Sequence, residues 1–331
     1  MAGPDQSPEE RLIAQHFRPL ATHPGAFGLA DDAAVLSVPE GFDLVVTTDG
    51  VIAGVHFFFD DAPADVARKA LRMNLSDLAA KGAKPLGFVM AVALPESTDD
   101  AWLAAFAAGL GEDAGRYGCP LLGGDTDHTP GLMSISITAF GAVPQSRMVQ
   151  RSGARVGDSV LVTGTIGDAA LGLRLRGDRN LGSRWRLTEA MAGHLLGRYL
   201  RPEPRTTLAE AVLSFASSAM DVSDGLAGDL GKLCRASSLA ADVDVAQVPL
   251  SDAAHAAIAS RPTLLETLLT GGDDYEIILT VAQAKLQAFQ AAARAARVPV
   301  TEIGRMRSGD GAQFTRQGKP LVFARPAFSH F

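Results

Sequence analysis

Six aspartates stand where the surrounding pattern calls for apolar or neutral residues. Asp32 follows Gly28-Leu29-Ala30-Asp31, Asp49 ends the Thr47-Thr48 stretch, Asp77 lies in Asn74-Leu75-Ser76-Asp77-Leu78, Asp125 follows Gly123-Gly124, and Asp221 and Asp224 bracket Val222-Ser223. On a helix Asp77 shares its face with Asn74, Met73 and Ala70. An unpaired buried carboxylate is expensive, and a metal ion or an arginine is its usual compensation. Any one of the six, taken singly, is explained as a helix-surface or capping residue; the recurrence of six at element ends is harder to explain that way. Oxygen ligands without a His/Cys cluster of zinc spacing favour a hard cation such as Mg²⁺. Because Mg²⁺ takes only one or two carboxylates, so many aspartates imply several ions shared with substrate phosphates. That is an arrangement for phosphoryl transfer, in which metal ions bridge nucleotide and acceptor phosphates that otherwise repel.

The usual nucleotide signatures are missing from the chain: it has no G-x-x-x-x-G-K-[ST], no kinase catalytic loop and no convincing G-x-G-x-x-G after a strand. Gly164-Thr165-Ile166-Gly167 could offer N–H groups to a phosphate, although a plain turn is the simpler reading. Asp125-Thr126-Asp127-His128-Thr129 begins like a calcium loop, but Pro130 takes the required glycine position and Ser136 the required glutamate, which excludes an EF-hand.

The elements that must position these residues alternate between strand and helix patterns. Strands are expected over 42–48, 88–94, 132–143, 159–163, 219–222 and 275–281, and helices over 9–17, 65–81, 99–117 and 282–297. A further helix after Asp221 is expected to be capped by Ser223 and to bury Leu226, Leu230 and Leu233. The turn-rich, charged segment 144–158 is the best candidate boundary, dividing the chain into an N-terminal domain, 1–143, and a C-terminal domain, 144–331. The apolar run Phe57-Phe58-Phe59 is expected in the core rather than over a ligand.

Composition bounds the reading. The 331 residues suffice for two domains, and 47% hydrophobic with 20% charged residues describes a folded chain rather than a disordered one. A net charge of -7, from 37 acidic against 30 basic residues, argues against a nucleic-acid binder and permits cation binding. Cys119 and Cys234 form no C-x-x-C motif, and the N-terminus lacks the basic and apolar regions of a signal peptide. No apolar run is long enough to cross a bilayer, so no membrane association and a cytoplasmic location are expected.

Six motifs occur in the order seen in thiamine-monophosphate kinases. They are Thr48-Asp49-Gly50-Val51 with Gly54-Val55-His56-Phe57, Asn74 to Ala83, Gly123-Gly124-Asp125-Thr126, Arg151-Ser152-Gly153-Ala154 with Gly157-Asp158, Asp221 with Ser223-Asp224-Gly225-Leu226, and Gly271-Gly272-Asp273-Asp274-Tyr275-Glu276. The chain resembles that family, part of the aminoimidazole ribonucleotide synthetase superfamily, from Gly28 to the terminal Ser329-His330-Phe331.

The resemblance implies an α/β (α+β) protein of two domains with the site in the cleft between them. The N-terminal mixed sheet and its helices would form a barrel in a homodimer. It also implies ATP-dependent phosphorylation of thiamine phosphate to thiamine diphosphate, by direct in-line transfer with several Mg²⁺ ions and no protein general base. Carried over by motif, Asp32, Thr47, Thr48, Asp49, Asp77, Asp125, Asp221 and Asp224 are expected as metal ligands. Gly124, Asp125, Arg151 and Ser223 are expected to contact ATP, and His56 and Asp273 the acceptor. The chain departs from the family in having Asp273 where Glu is usual. It also lacks a tryptophan in its tail, where Phe328 stands nearby. The alternatives are another ATP-using enzyme of the superfamily or a non-catalytic metal- or nucleotide-binding regulator. The chain lacks the N-terminal reactive cysteine of selenophosphate synthetase and the terminal cysteine of the hydrogenase-maturation dehydratase.

Overall fold

The structure, a computed structural model, describes residues 7–325, 327 and 328. The terminal Ser329-His330-Phe331 of the motif comparison lies outside the described residues. The chain divides into two compact units. One runs through Leu78 and takes in Lys84–Ser146; the other comprises Ala79–Ala83 and resumes at Arg147. Among the described residues no helix is long and apolar enough to cross a membrane.

The first unit is built on four strands, β1 (Phe42–Ile52), β2 (Lys84–Pro95), β3 (Leu121–Thr129) and β4 (Ser134–Pro144), in the order β1-β4-β2-β3. β4 runs antiparallel to β1 and β2, and β3 runs parallel to β2, so the sheet is mixed. The helix Pro63–Ala80 buries Ala67, Leu71, Leu75 and Leu78, which recur at the three- and four-residue spacing of one helix face. The helix Asp100–Tyr117 starts where the Asp99 side chain accepts from Trp102 N–H (2.7 Å) and stops at Gly118 in the left-handed conformation. Its Trp102 and Phe106 rings stack with centroids 5.1 Å apart.

β3 has no apolar alternation and is not foreseeable from pattern, because it is an edge strand that takes its order from backbone pairing with β2. At Gly124 that pairing leaves no room, since a Cβ would lie 1.9 Å from the Met90 carbonyl oxygen. The Phe57–Phe59 run also departs from expectation: Phe57 is buried, but Phe59 is 73% exposed.

The second unit holds β5 (Ser159–Thr163), β6 (Ala216–Asp221), β7 (Ala240–Asp244), β8 (Ile277–Val281), β9 (Val300–Arg307), β10 (Gly311–Arg316) and β11 (Lys319–Leu321), in the order β11-β10-β7-β9-β5-β8-β6. Side chains alternate across the fully buried β5. Val160 and Val162 pack in a core with Leu226, Leu230 and Leu233 of the helix Leu226–Ser237, and Leu161 packs in another with Leu279 and Phe289. Ser223 is not the cap of that helix; Gly225, at φ +106°, occupies the position and no side chain caps it. The last strand of the Gly-Gly-Asp-Asp motif begins at Ile277 rather than Tyr275, because Tyr275 has φ +50° and cannot continue a strand. The Ala-rich segment enters through a 3₁₀ turn, Gln283–Lys285, and is α-helical only over Leu286–Ala295.

Candidate active site

In the first unit, strand alternation decides which motif residues meet. Thr47 and Asp49 lie on the same face of β1 as the buried Val45 and Val51, and the helix Pro63–Ala80 brings Asp77 to them. Thr47 Oγ1 donates to Asp77 Oδ2 at 2.5 Å. Burial, and secondly the charge of Asp77, pushes the Asp49 carboxyl up to about 6. No lysine or arginine among the described residues forms an ion pair with either carboxylate. Thr48 points to the opposite, exposed face, where its hydroxyl donates to Ile137 O (3.2 Å) and accepts from Thr138 Oγ1 (3.0 Å).

Asp32 and Asp125 meet elsewhere in the unit, on the wall of a cavity of about 410 Å³ that Gly124, Asp31 and Thr126 also line. Leading into it, Phe27, Gly28 and Leu29 all take left-handed backbone, with φ of +50°, +62° and +55°. Register across the sheet runs Asp49, Ile137, Met90, Gly124, so Asp49 and Gly124 occupy opposite edges of one row. Three strand spacings separate them, about 14 Å. His56 is half-buried, and its Nδ1 accepts from Ile52 N–H at 3.0 Å.

In the second unit, Asp221 ends β6 and is nearly buried, whereas Ser223 and Asp224 are half-buried on the loop that follows. Asp273 N–H donates to Ser223 O (2.9 Å), and Phe328 N–H donates to Asp224 O (3.0 Å). The folded chain therefore gathers Asp273 and Phe328, far apart in sequence, around Ser223 and Asp224. Arg151 is exposed on the segment that precedes β5.

Several residues of the site escape the sequence reading. Lys232 Nζ ion-pairs with Asp224 and, at 2.8 Å, with the fully buried Asp229. Burial opposes the Lys232 charge, but its two carboxylate partners outweigh it and raise the lysine above its ordinary value. Asp274 and Glu276, which follow Asp273 in the same motif, are both fully buried. Asp274 accepts from Gly167 N–H (2.7 Å) and Ala169 N–H (3.3 Å), occupying the helix N-terminus that Gly164-Thr165-Ile166-Gly167 would otherwise offer to phosphate. Burial holds the Asp274 carboxyl well above the usual carboxylate range despite these donors. Glu276 accepts from Arg198, Arg205 and Thr163. The signal for the arginines is the pair of acidic residues, Asp274 and Glu276, directly before a wholly buried strand, which demands cations folded in from elsewhere.

Among the described residues no group of three or more His, Cys, Asp or Glu is placed to hold a metal ion. The donor chemistry nevertheless suits Mg²⁺, which needs only one or two carboxylates and completes its shell with water and phosphate oxygens. Asp49 beside Asp77, both without a cationic side chain, is such a pair.

Residues 30–143 match the N-terminal domain of AIR synthase related proteins, and residues 155–316 match the C-terminal domain. The thiamine-monophosphate kinase of Caulobacter vibrioides is 43% identical over 322 residues, covering 96% of this chain and 89% of the relative. The crystal structure of thiamine-monophosphate kinase from Stenotrophomonas maltophilia superposes with a TM-score of 0.83 at 37% identity, covering 97% of this chain and 99% of that one. AaThiL complexed with AMPPCP and TMP superposes with a TM-score of 0.78 at 29% identity, covering 93% and 97%. Likeness of this extent, spanning both domains and every motif that carries a candidate ligand, makes the chain a member of the thiamine-monophosphate kinase family.

Proposed function

We propose that the chain phosphorylates thiamine phosphate to thiamine diphosphate at the expense of ATP, by direct in-line transfer of the γ-phosphoryl group between two bound substrates. Family membership carries the activity and both substrates. The observation that carries the chemistry is the half-buried Asp49 set against Asp77, two carboxylates that repel each other and have no protein cation to offset them. Such a pair is destabilising unless a cation arrives with the substrate.

Asp49 and Asp77, oriented by the Thr47 hydroxyl, would hold Mg²⁺, as would Asp32 with Asp125 and Asp221 with Asp224. Mg²⁺ bound there supplies the positive charge that lets two polyanions approach. Lys232 holds Asp224 in place from behind. Gly124, Asp125 and Ser223 face ATP in this reading, and the exposed Arg151 offers a planar fork to its phosphates. His56 and Asp273 take the acceptor, with Phe328, whose N–H donates to Asp224 O, in place of the missing tryptophan. No protein base is required, because the attacking phosphate oxygen is ionised near neutral pH; position and charge neutralisation supply the rate.

The same reading makes the protein a cytoplasmic homodimer. Phe42, Leu44, Val46 and Ile52 are 39 to 54% exposed on alternate positions of edge strand β1, an apolar row that a second copy would cover. Incubation with ATP, Mg²⁺ and either thiamine phosphate or free thiamine tests the activity. Thiamine diphosphate from the first, and no phosphorylation of the second, is the expected result. Turnover undiminished by a chelator would refute the metal-dependent mechanism.

A further inference from the structure

We propose that Arg198 and Arg205 are positioning residues for the acceptor: by clamping Glu276 they hold the strained turn that presents Asp273. The inference rests on the reading of Asp273 as an acceptor contact. Asp273 and Tyr275 have φ of +71° and +50°, two left-handed non-glycine residues within three positions. Backbone of this kind persists only where its surroundings over-determine it.

The surroundings do so residue by residue. Asp273 N–H and Tyr275 N–H donate to Ser223 O and Val222 O, both at 2.9 Å, and Val222 N–H donates to Glu276 O at 2.8 Å. Asp274 turns inward and binds Gly167 N–H and Ala169 N–H. Arg198 Nη2 donates both to Asp274 O (2.9 Å) and to Glu276 Oε1 (2.8 Å), so one guanidinium group bridges the strained Tyr275. Arg205 grips the same carboxylate from two nitrogens, Nε to Oε2 at 2.7 Å and Nη2 to Oε1 at 2.5 Å. Thr163 Oγ1 donates to Oε2 at 2.6 Å and accepts from Ile277 N–H at 2.8 Å, tying the end of the turn to β5.

Arg198 is buried and Arg205 half-buried; beyond Glu276, Arg198 Nη2 reaches Asp274 O, Arg198 Nη1 makes no hydrogen bond and lies 3.9 Å from Glu203, and Arg205 Nη1 donates to Glu203 at 3.3 Å. A core built only for stability would do as well with apolar side chains, because a buried ion pair costs much of its attraction in desolvation. What apolar residues cannot do is reach carbonyl and carboxylate on either side of Tyr275 at once.

The test is steady-state kinetics of Arg198→Lys and Arg205→Lys, which keep the charge but lose the fork, with Asp273→Ala measured in parallel. Releasing the turn lowers the fraction of molecules that present Asp273, and the acceptor KM rises in proportion, by about tenfold. The KM for ATP should change less than about threefold, because Asp221 is fixed by β6–β8 pairing and Asp224 by Lys232. A merely structural role would lower the active fraction, and with it kcat, without separating the two KM values. If a lysine variant fails to fold, Glu276→Gln, which keeps the shape and weakens both clamps, must show the same separation. An acceptor KM unchanged in the folded variants while Asp273→Ala raises it overturns the positioning role; an acceptor KM unchanged in Asp273→Ala overturns the acceptor reading and this inference with it.

Discussion

Replacing Asp77 by Asn should make the metal-free protein more stable while abolishing its activity. Asp49 is raised from 3.8 to about 6, first by burial and then by Asp77. At about 1.4 kcal/mol per pH unit, keeping Asp49 ionised at pH 8 costs the metal-free fold about 3 kcal/mol. Asp77 is the smaller of the two causes, so its share is about 1 kcal/mol. The folded protein holds the Asp49 proton more tightly than the unfolded chain, so this contribution favours folding at low pH and is lost as pH rises through about 6. The gain from Asp77→Asn should therefore be present at pH 8 and small at pH 5. The amide oxygen still accepts from Thr47 Oγ1, so no buried donor is orphaned.

Thermal unfolding in EDTA at pH 8 should show a midpoint higher by about 1.5 °C in the variant. Adding millimolar Mg²⁺ with ATP should stabilise the parent protein and stabilise the variant less, reversing their order. Thiamine diphosphate formation should fall at least about a hundredfold. A variant that unfolds earlier in EDTA at pH 8, yet turns over near the parent rate, would show that Asp77 neither repels Asp49 nor serves the reaction.

Other perturbations probe separate features. The half-exposed His194 donates to Asp168 at 2.9 Å, which raises the histidine; burial pushes the other way on Asp168, but His194, Ser251 and Thr165 together bring that carboxyl below its ordinary value. The histidine's contribution is present below about 6.5 and fades as pH rises through its raised value, while the aspartate's fades only at acid pH. Denaturant titrations of His194→Gln should therefore lose about 1 kcal/mol or less at pH 5.5 and nothing at pH 9. Leu44→Asp, in the exposed apolar row of β1, should halve the mass seen by sedimentation without unfolding the monomer. Gly124→Ala would place a methyl group 1.9 Å from Met90 O, and should detach β3, seen as lost amide protection in Leu121–Thr129 together with lost activity.

Local pattern was enough wherever one residue's role depends on near neighbours in sequence. The helical spacing of Val66, Ala70, Met73 and Leu78, the helix that begins near Asp99 and the apolar run of β5 are written in a few consecutive positions, and so are the motifs that identify the family. Composition was informative about charge but not about where charge is spent. Of the acidic residues, Asp274 and Glu276 lie in the same motif as Asp273 yet serve as a helix cap and an arginine anchor. Sequence spacing alone does not separate these roles, because each is set by a partner 70 or more residues away: Arg205 is 71 positions from Glu276, and Gly167 is 107 from Asp274.

Tertiary structure decided the rest, and for one physical reason: a buried charge is tolerable only where the fold delivers its partner. It turned Thr47 and Asp49 to the face of Asp77 and Thr48 away from it, and set Lys232 behind Asp224. It also ordered the polar β3 through its pairing with β2. The sequence determined which residues have the chemistry for phosphoryl transfer. Only the folded chain determined that Asp49 and Asp77 stand together without a protein cation, whereas Asp224 and Glu276 are given one.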